Sequence, residues 1–255
     1  MEPIVVTYHQ DSRPTLKRPI LVEGLPGVGN VGKLAAELVV DQLKAEPFAT
    51  IHSRYFPPQV IVDDSGIIAL VSNRLYLSRQ PGPHDLLFLV GDYQGLTPEG
   101  QYELADCVLA LAKGLGVERV YTLGGYGIGR MVEEPKVLGA TTSAALVAEM
   151  RAAGVLFPEG EPGSGIVGAS GLLLGLGRMR AIEGVCLMGQ TSGYFVDPKS
   201  AGALLTILCP LLGITVDLAD LEAKAAQIDV ITSRIREIEG GETSQRSRED
   251  LHYIG

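Results

Sequence analysis

The sequence predicts an α/β protein, a three-layer α/β/α sandwich around a mostly parallel sheet with a hairpin inserted at one side. Two observations predict it. Short aliphatic runs that are apolar along their whole length alternate with helix-period runs, and strands of that kind are buried on both faces, as in a parallel sheet flanked by helices. In addition, "QVIVDDSGIIALVSNRLYLSRQPGPHD" contains two alternating runs about a Ser-Gly turn, which is the pattern of an antiparallel hairpin.

The elements follow in order. "PILVEG" precedes the helical run "GKLAAELVVDQL", and "FATIHSRYF" is the next strand-like run. "DLLFLVGD" precedes "PEGQYELADCVLALAKGLG"; "RVYTLGG" and "KVLGATT" read as strands, the second followed by "SAALVAEMRAAG". "GVCLMGQT" and "PKSAGALLTILCPLLG" close the series. Thr97 before Pro98, and Asp197 before Pro198, each place a capping oxygen ahead of a proline at the first helical position. "EGEPGSGIVGASG" is rich in glycine and proline and reads as a loop.

The chain divides into a core over 1–216, an amphipathic helix over 217–239 and a tail over 240–255. In the helix Leu218, Leu221, Ala225, Ile228, Thr232 and Ile235 recur at spacings of three and four. Such a stripe docks on its own domain or on another subunit, and the first reading is the plainer one. "GGETSQRSRED" lacks apolar anchors and reads as a tether, after which "LHYIG" ends the sequence as a hydrophobic and aromatic plug.

Composition narrows the function. With 255 residues there is ample material for a large core. A net charge of −9 argues against nucleic acid, whose phosphates call for a basic face, and against an anionic membrane surface. No signal core and no apolar run of membrane-spanning length is present, so a cytoplasmic protein is expected. Cys107, Cys186 and Cys209 lie far apart in apolar runs and read as buried hydrophobes of a reducing compartment.

The most motif-like stretch is "ILVEGLPGVGNVGKLAAELVV". Gly27, Gly29 and Gly32 match the dinucleotide pattern G-x-G-x-x-G, and Gly27, Gly32 and Lys33 match all but the last position of a phosphate loop. Leu34 stands where that loop needs a magnesium-ligating hydroxyl, and the following strand ends without the carboxylate that would hold a ribose. Both motifs thus lack the residue that carries the chemistry, and the glycines read as a tight turn with close helix packing. A small-molecule or nucleotide-binding enzyme of phosphorylase or hydrolase type is the alternative function, using a crevice at Gly27, Gly29, Gly32, Lys33 and Asp92, with Thr191 facing it. Ser170 in "VGASGLL" matches a nucleophile elbow poorly, because Leu172 replaces its second glycine. His9, His52, His84 and His252 are dispersed, and no cofactor or metal motif is found.

Four ordered motifs, "EGLPGVGNVGKLAAE", "GDYQGLTPEGQYELAD", "LGGYGIGR" and "MGQTSGYFVDPKSAGALL", together resemble the archaeal and bacterial relatives of the proteasome assembly chaperones, especially the archaeal homo-oligomeric type. The resemblance runs from about Pro19 to the tail. It implies a Rossmann-like fold of phosphorylase-like shape, self-association into small homo-oligomers, no required ATP, and binding to the proteasome core particle. Family members dock a C-terminal hydrophobic-Tyr-X tail between α-subunits of that particle, which on this chain implicates Leu251, His252, Tyr253, Ile254 and Gly255. Here the tyrosine is third from the end and His252 precedes it, so the terminal carboxylate lies one residue, roughly 3.3 Å of extended chain, further out.

Overall fold

The computed structural model describes residues 2–10, 13–157 and 165–228. The tail over 240–255 and the second half of the 217–239 helix lie outside the described residues. Strands and helices follow in the order β1 (Ile4–Tyr8), β2 (Ile20–Gly24), α1 (Val31–Gln42), β3 (Glu46–Ser53), β4 (Val60–Val62), β5 (Ile68–Leu70), β6 (Asn73–Ser78) and β7 (Leu86–Gly91). They continue with α2 (Pro98–Gly114), β8 (Arg119–Gly127), β9 (Val137–Thr141), α3 (Ala144–Ala152), α4 (Ala169–Met179), β10 (Glu183–Thr191) and α5 (Pro198–Leu212).

Eight strands form one sheet in the order β1-β3-β6-β7-β2-β8-β10-β9. Its centre is parallel: β2 lies between β7 and β8, and β10 extends the run beyond β8. These are the strands whose apolar runs are continuous, and every residue of β2 and β7 is buried. The flanks are antiparallel, with β6, β3 and β1 on one side and β9 on the other. The sheet is therefore mixed, with its parallel part in the middle, where both faces are covered.

Helix α1 packs against α5, and α2 against α4. Alternation along β2 separates the two layers. Leu21 joins the large core cluster with Leu104, Val108 and Leu109 of α2 and Leu173 of α4, whereas a side chain on Gly24 would meet Ala36 of α1. The expected hairpin is present as β4 and β5, turning through Asp63 to Gly66, with Asp63 N–H bonded to Ile67 O at 3.0 Å. It is a two-stranded sheet of its own.

Both expected caps are formed. Thr97 Oγ1 accepts from Gly100 N at 3.0 Å, and Asp197 Oδ1 accepts from Ser200 N at 2.9 Å. Two elements go beyond the sequence expectation: β1 lies in the polar N-terminal stretch, and α4 begins inside the run read as a loop, of which 158–164 lie outside the described residues. The chain divides after Asp217 into two units. In the second, residues 219–228 are helical.

Candidate functional site

Three glycine-bearing segments meet at the carboxyl edge of the parallel strands, where open α/β sheets place their ligand sites. They are the β2–α1 turn, the end of β8 and the turn after β10. After β2 the chain makes a short 3-10 turn, Val28–Asn30, before α1. Gly29 has φ of +63°, in the left-handed region that glycine enters without strain, and a side chain there would come within 2.9 Å of Thr191 Oγ1. Gly32 faces the backbone of β8 so closely that a Cβ would lie 2.1 Å from Leu123 O. Gly27 is different: its backbone is extended (φ −160°), and nothing lies within 4 Å of where a Cβ would stand.

The turn is locked from several sides. Asn30 N–H donates to Gly27 O at 3.0 Å, and Asp197 N–H donates to Gly29 O at 2.9 Å. Ile128 N–H bonds Thr191 O at 2.9 Å, tying the β8 loop to the β10 loop. Val28 lies over Gly127 and Gly193, and its own side chain is exposed together with Tyr194, Phe195 and Val196. The crest of the site is thus apolar and aromatic.

Of the three motif glycines only Gly29 meets Thr191; Gly32 packs on Leu123 of β8, Gly27 stands in the open, and Lys33 and Asp92 belong to a different place. Lys33 Nζ donates to Gly91 O at 3.1 Å and lies 3.5 Å from Glu37 Oε1. Asp92 accepts from Ser72 N–H at 2.9 Å and returns a backbone bond to Ser72 O at 3.0 Å. Both gather at the end of β7, beside a cavity of about 260 Å³ lined by Glu37, Asp41, Arg74 and Asp92 among others. Glu37 is half-buried, and loss of solvation raises its carboxyl above the ordinary value against the opposing pull of Lys33. A phosphate-loop lysine reaches toward its own loop; here the ammonium is held by a neighbouring strand end.

The residue that sequence reasoning missed is Glu23. It is fully buried in the central strand, with Oε1 accepting from Leu25 N–H and Oε2 from the Ser170 hydroxyl, each at 2.9 Å. Burial pushes its carboxyl up to about 7, although hydrogen bonds from Leu25, Ser170 and the Leu123 backbone favour the charged form. Ser170 is thereby a donor to Glu23, and Gln94 completes the link to α4 by accepting from Ala169 N–H and donating to Pro26 O. The available signal was a lone acid in a strand otherwise apolar on both faces.

The cysteines fit their sequence reading at two positions out of three. Cys186 and Cys209 are buried, and burial pushes their thiols up to about 12 and about 11; Cys107 is part-buried. Among the described residues no group of three or more His, Cys, Asp or Glu is arranged to hold a metal, and no helix is long and apolar enough to cross a membrane. Leu251, His252, Tyr253, Ile254 and Gly255 lie outside the described residues.

The PAC2 family model matches residues 21–236, and the chain belongs to that family, in keeping with its resemblance to the proteasome assembly chaperones. Among its relatives, an uncharacterized protein of Methanocaldococcus jannaschii is 40% identical over 260 residues, covering 100% of this chain and 99% of that one. Pyrococcus furiosus PbaB, described as an archaeal proteasome activator, superposes with a TM-score of 0.88 at 34% identity, over 92% of this chain and 100% of PbaB. Pyrococcus furiosus PbaA, described as an archaeal homologue of a proteasome-assembly chaperone, superposes with a TM-score of 0.76 at 25% identity, over 99% and 100% of the two chains.

Proposed function

We propose that this protein is a proteasome-directed chaperone or core-particle-binding factor that works without ATP and recognises a protein surface instead of turning over a substrate. The likeness to PbaB, close in sequence and covering the whole of that chain, carries the reading. The local geometry is compatible with it: the glycine turn is held by Asn30 N–H to Gly27 O and by Asp197 N–H to Gly29 O, and the exposed groups around it are Val28, Tyr194, Phe195 and Val196. Aromatic and aliphatic side chains of this kind suit a protein partner, where aromatic anchors carry much of the binding energy.

In this reading the tail from Leu251 to Gly255 enters pockets between α-subunits of the core particle in the cytoplasm, and homo-oligomerisation presents several tails to one ring. Each plug alone would bind modestly, and several on one assembly gain by effective concentration. The acidic body, at −9, suits a basic ring face. The test is co-sedimentation of the full chain and of a chain lacking 251–255 with purified archaeal core particle. The full chain is expected to bind and the shortened one to lose most of that binding. Equal binding by both would overturn the tail mechanism, and no binding by the full chain would overturn the proteasome reading itself.

A further inference from the structure

The hairpin of β4 and β5 is apolar where it should be polar. Residues 58–70 are all exposed, yet they include Val60, Ile61, Val62, Ile67, Ile68 and Leu70. A two-stranded hairpin is marginally stable in water on its own, so aliphatic side chains held out on one call for a cover. The pairing Val60↔Leu70 and Val62↔Ile68 puts these four residues on one face of the ribbon. That face does not stop at the hairpin. Val60 and Leu70, at its base, line a cavity of about 540 Å³ together with Phe56 and Pro57, so one apolar strip runs from the cavity to the tip.

Charge is distributed along the same strip. Asp63 and Asp64 stand at the tip, while Arg54 and His52 line the cavity at the base. Asp63 Oδ1 accepts from the Ser65 hydroxyl and from the Ser65 and Ile67 amides, which fixes the turn and keeps the tip anionic. Arg54 is exposed, its guanidinium 5.6 Å from the Tyr55 ring centre. An acidic tip and a basic base on one apolar face are complementary to a second copy of the same face laid antiparallel upon it.

We propose that this arm is a self-association surface, in which two copies pack face to face about a two-fold axis with the tip of each over the base of the other. The proposal rests on the self-association put forward above and names the surface responsible. An isologous contact uses every element twice: Val62 and Ile68 of each copy cover the Val60 and Leu70 strip of the other, and each Asp64 approaches an Arg54. Thirteen exposed arm residues, with the cavity residues that precede them, approach the roughly 20 to 30 residues a side of a stable interface. Depletion of charge at the centre and charges at the ends is the usual anatomy of such an interface.

The test is sedimentation equilibrium of the purified full chain, with V62D/I68D, R54D, D64R and R54D/D64R as variants. Val62 and Ile68 are 60% and 64% exposed, so the aspartates leave the subunit folded, which circular dichroism melting verifies. The wild type is expected to be a dimer or a multiple of one, and V62D/I68D to fall to half that mass or less. R54D and D64R should each weaken association several-fold, and their combination should recover most of it. If V62D/I68D keeps the mass of an oligomeric wild type, this surface is wrong while self-association stands. A monomeric wild type removes both. Failure of R54D/D64R to recover overturns the tip-over-base arrangement.

Discussion

Ser170 at the start of α4 donates a 2.9 Å hydrogen bond to Glu23 in β2, joining two elements 147 residues apart in sequence through a single buried carboxyl. The bond explains why a strand that is otherwise purely apolar carries an acid. Glu23 Oε1 holds the Leu25 amide, so the chain leaves β2 in the direction that the glycine turn requires, and Oε2 anchors α4. A buried carboxyl serves as a joint between the sheet, the turn and the helix.

The joint has a pH signature. Glu23 titrates near 7 in the folded protein against an ordinary 4.5, because burial penalises its charged form. Its contribution is therefore intact below about pH 4.5 and is lost as the pH rises to about 7, since in that window the folded state holds the proton more tightly than the unfolded one. Each tenfold gain in proton affinity is worth about 1.4 kcal/mol, so the whole effect amounts to about 3 kcal/mol. Glu23→Gln mimics the protonated form, with its carbonyl accepting from Leu25 and its amide donating to Ser170. The variant should gain stability relative to wild type as pH is raised from 5 to 8, by an amount of that order. Urea denaturation at several pH values measures it; a difference independent of pH would show that Glu23 does not titrate in this window.

Gly32 and Gly27 belong to the same motif, but alanine should be costly at the first and nearly neutral at the second. The Cβ of Gly32→Ala would lie 2.1 Å from Leu123 O, a backbone atom that cannot move without displacing α1 from β8. Overpacking of this kind costs roughly 1–3 kcal/mol or more. Gly27→Ala meets open space from an extended backbone and should be within about 0.5 kcal/mol of wild type, as for a surface change. Thermal melts of the two variants decide the matter, and a costly Gly27→Ala would point to an unrecognised contact at the turn.

How far the sequence foretells this architecture depends on whether a residue's reason lies nearby. Leu86 to Val90 are apolar in succession because both faces of β7 are covered, and that much is legible without a structure. The caps at Thr97 and Asp197 are local chemistry and equally legible. Helix α4 is obscured because Gly171, Gly175 and Gly177 interrupt its helical pattern and Gly168 stands directly before it; a side chain on Gly171 would clash with Ile166 O at 2.1 Å. The reversed direction of β9 follows from the short 128–136 link, since a parallel crossover takes a dozen or more residues, and only connection length reveals it. Lys33 illustrates the converse error of proximity: adjacent to Gly32 in sequence, it binds Gly91 O, 58 residues away.

The caps also predict magnitudes. Thr97→Ala removes the acceptor of the Gly100 amide and Asp197→Ala that of the Ser200 amide. Each should cost about 1 kcal/mol of global stability, the usual loss at an N-cap. Asp197→Ser and Thr97→Ser should recover most of it, because a hydroxyl serves the same amide. Chemical denaturation is the readout; an alanine variant as stable as wild type would mean that water replaces the cap without loss.

Lys33 gives the sharpest separation between a scaffold and a nucleotide site. Its ammonium is held by Gly91 O and faces Glu37, both on the β7 side of α1. Lys33→Met should therefore cost a fraction of a kcal/mol to about 1 kcal/mol of stability, the range of a partly exposed ion pair and one neutral acceptor. It should also push the half-buried Glu37 carboxyl further up, by removing the positive charge that opposes burial. Neither wild type nor variant should be stabilised by ATP, AMP or a dinucleotide. A ligand present at 100 times its dissociation constant would add about 2.7 kcal/mol, easily seen in a melting curve. Stabilisation of the wild type by one of these ligands, abolished in Lys33→Met, would require the lysine to leave Gly91 and turn toward the glycine turn. In that event the turn would be a phosphate site, and the apolar crest would lose its claim as the working surface.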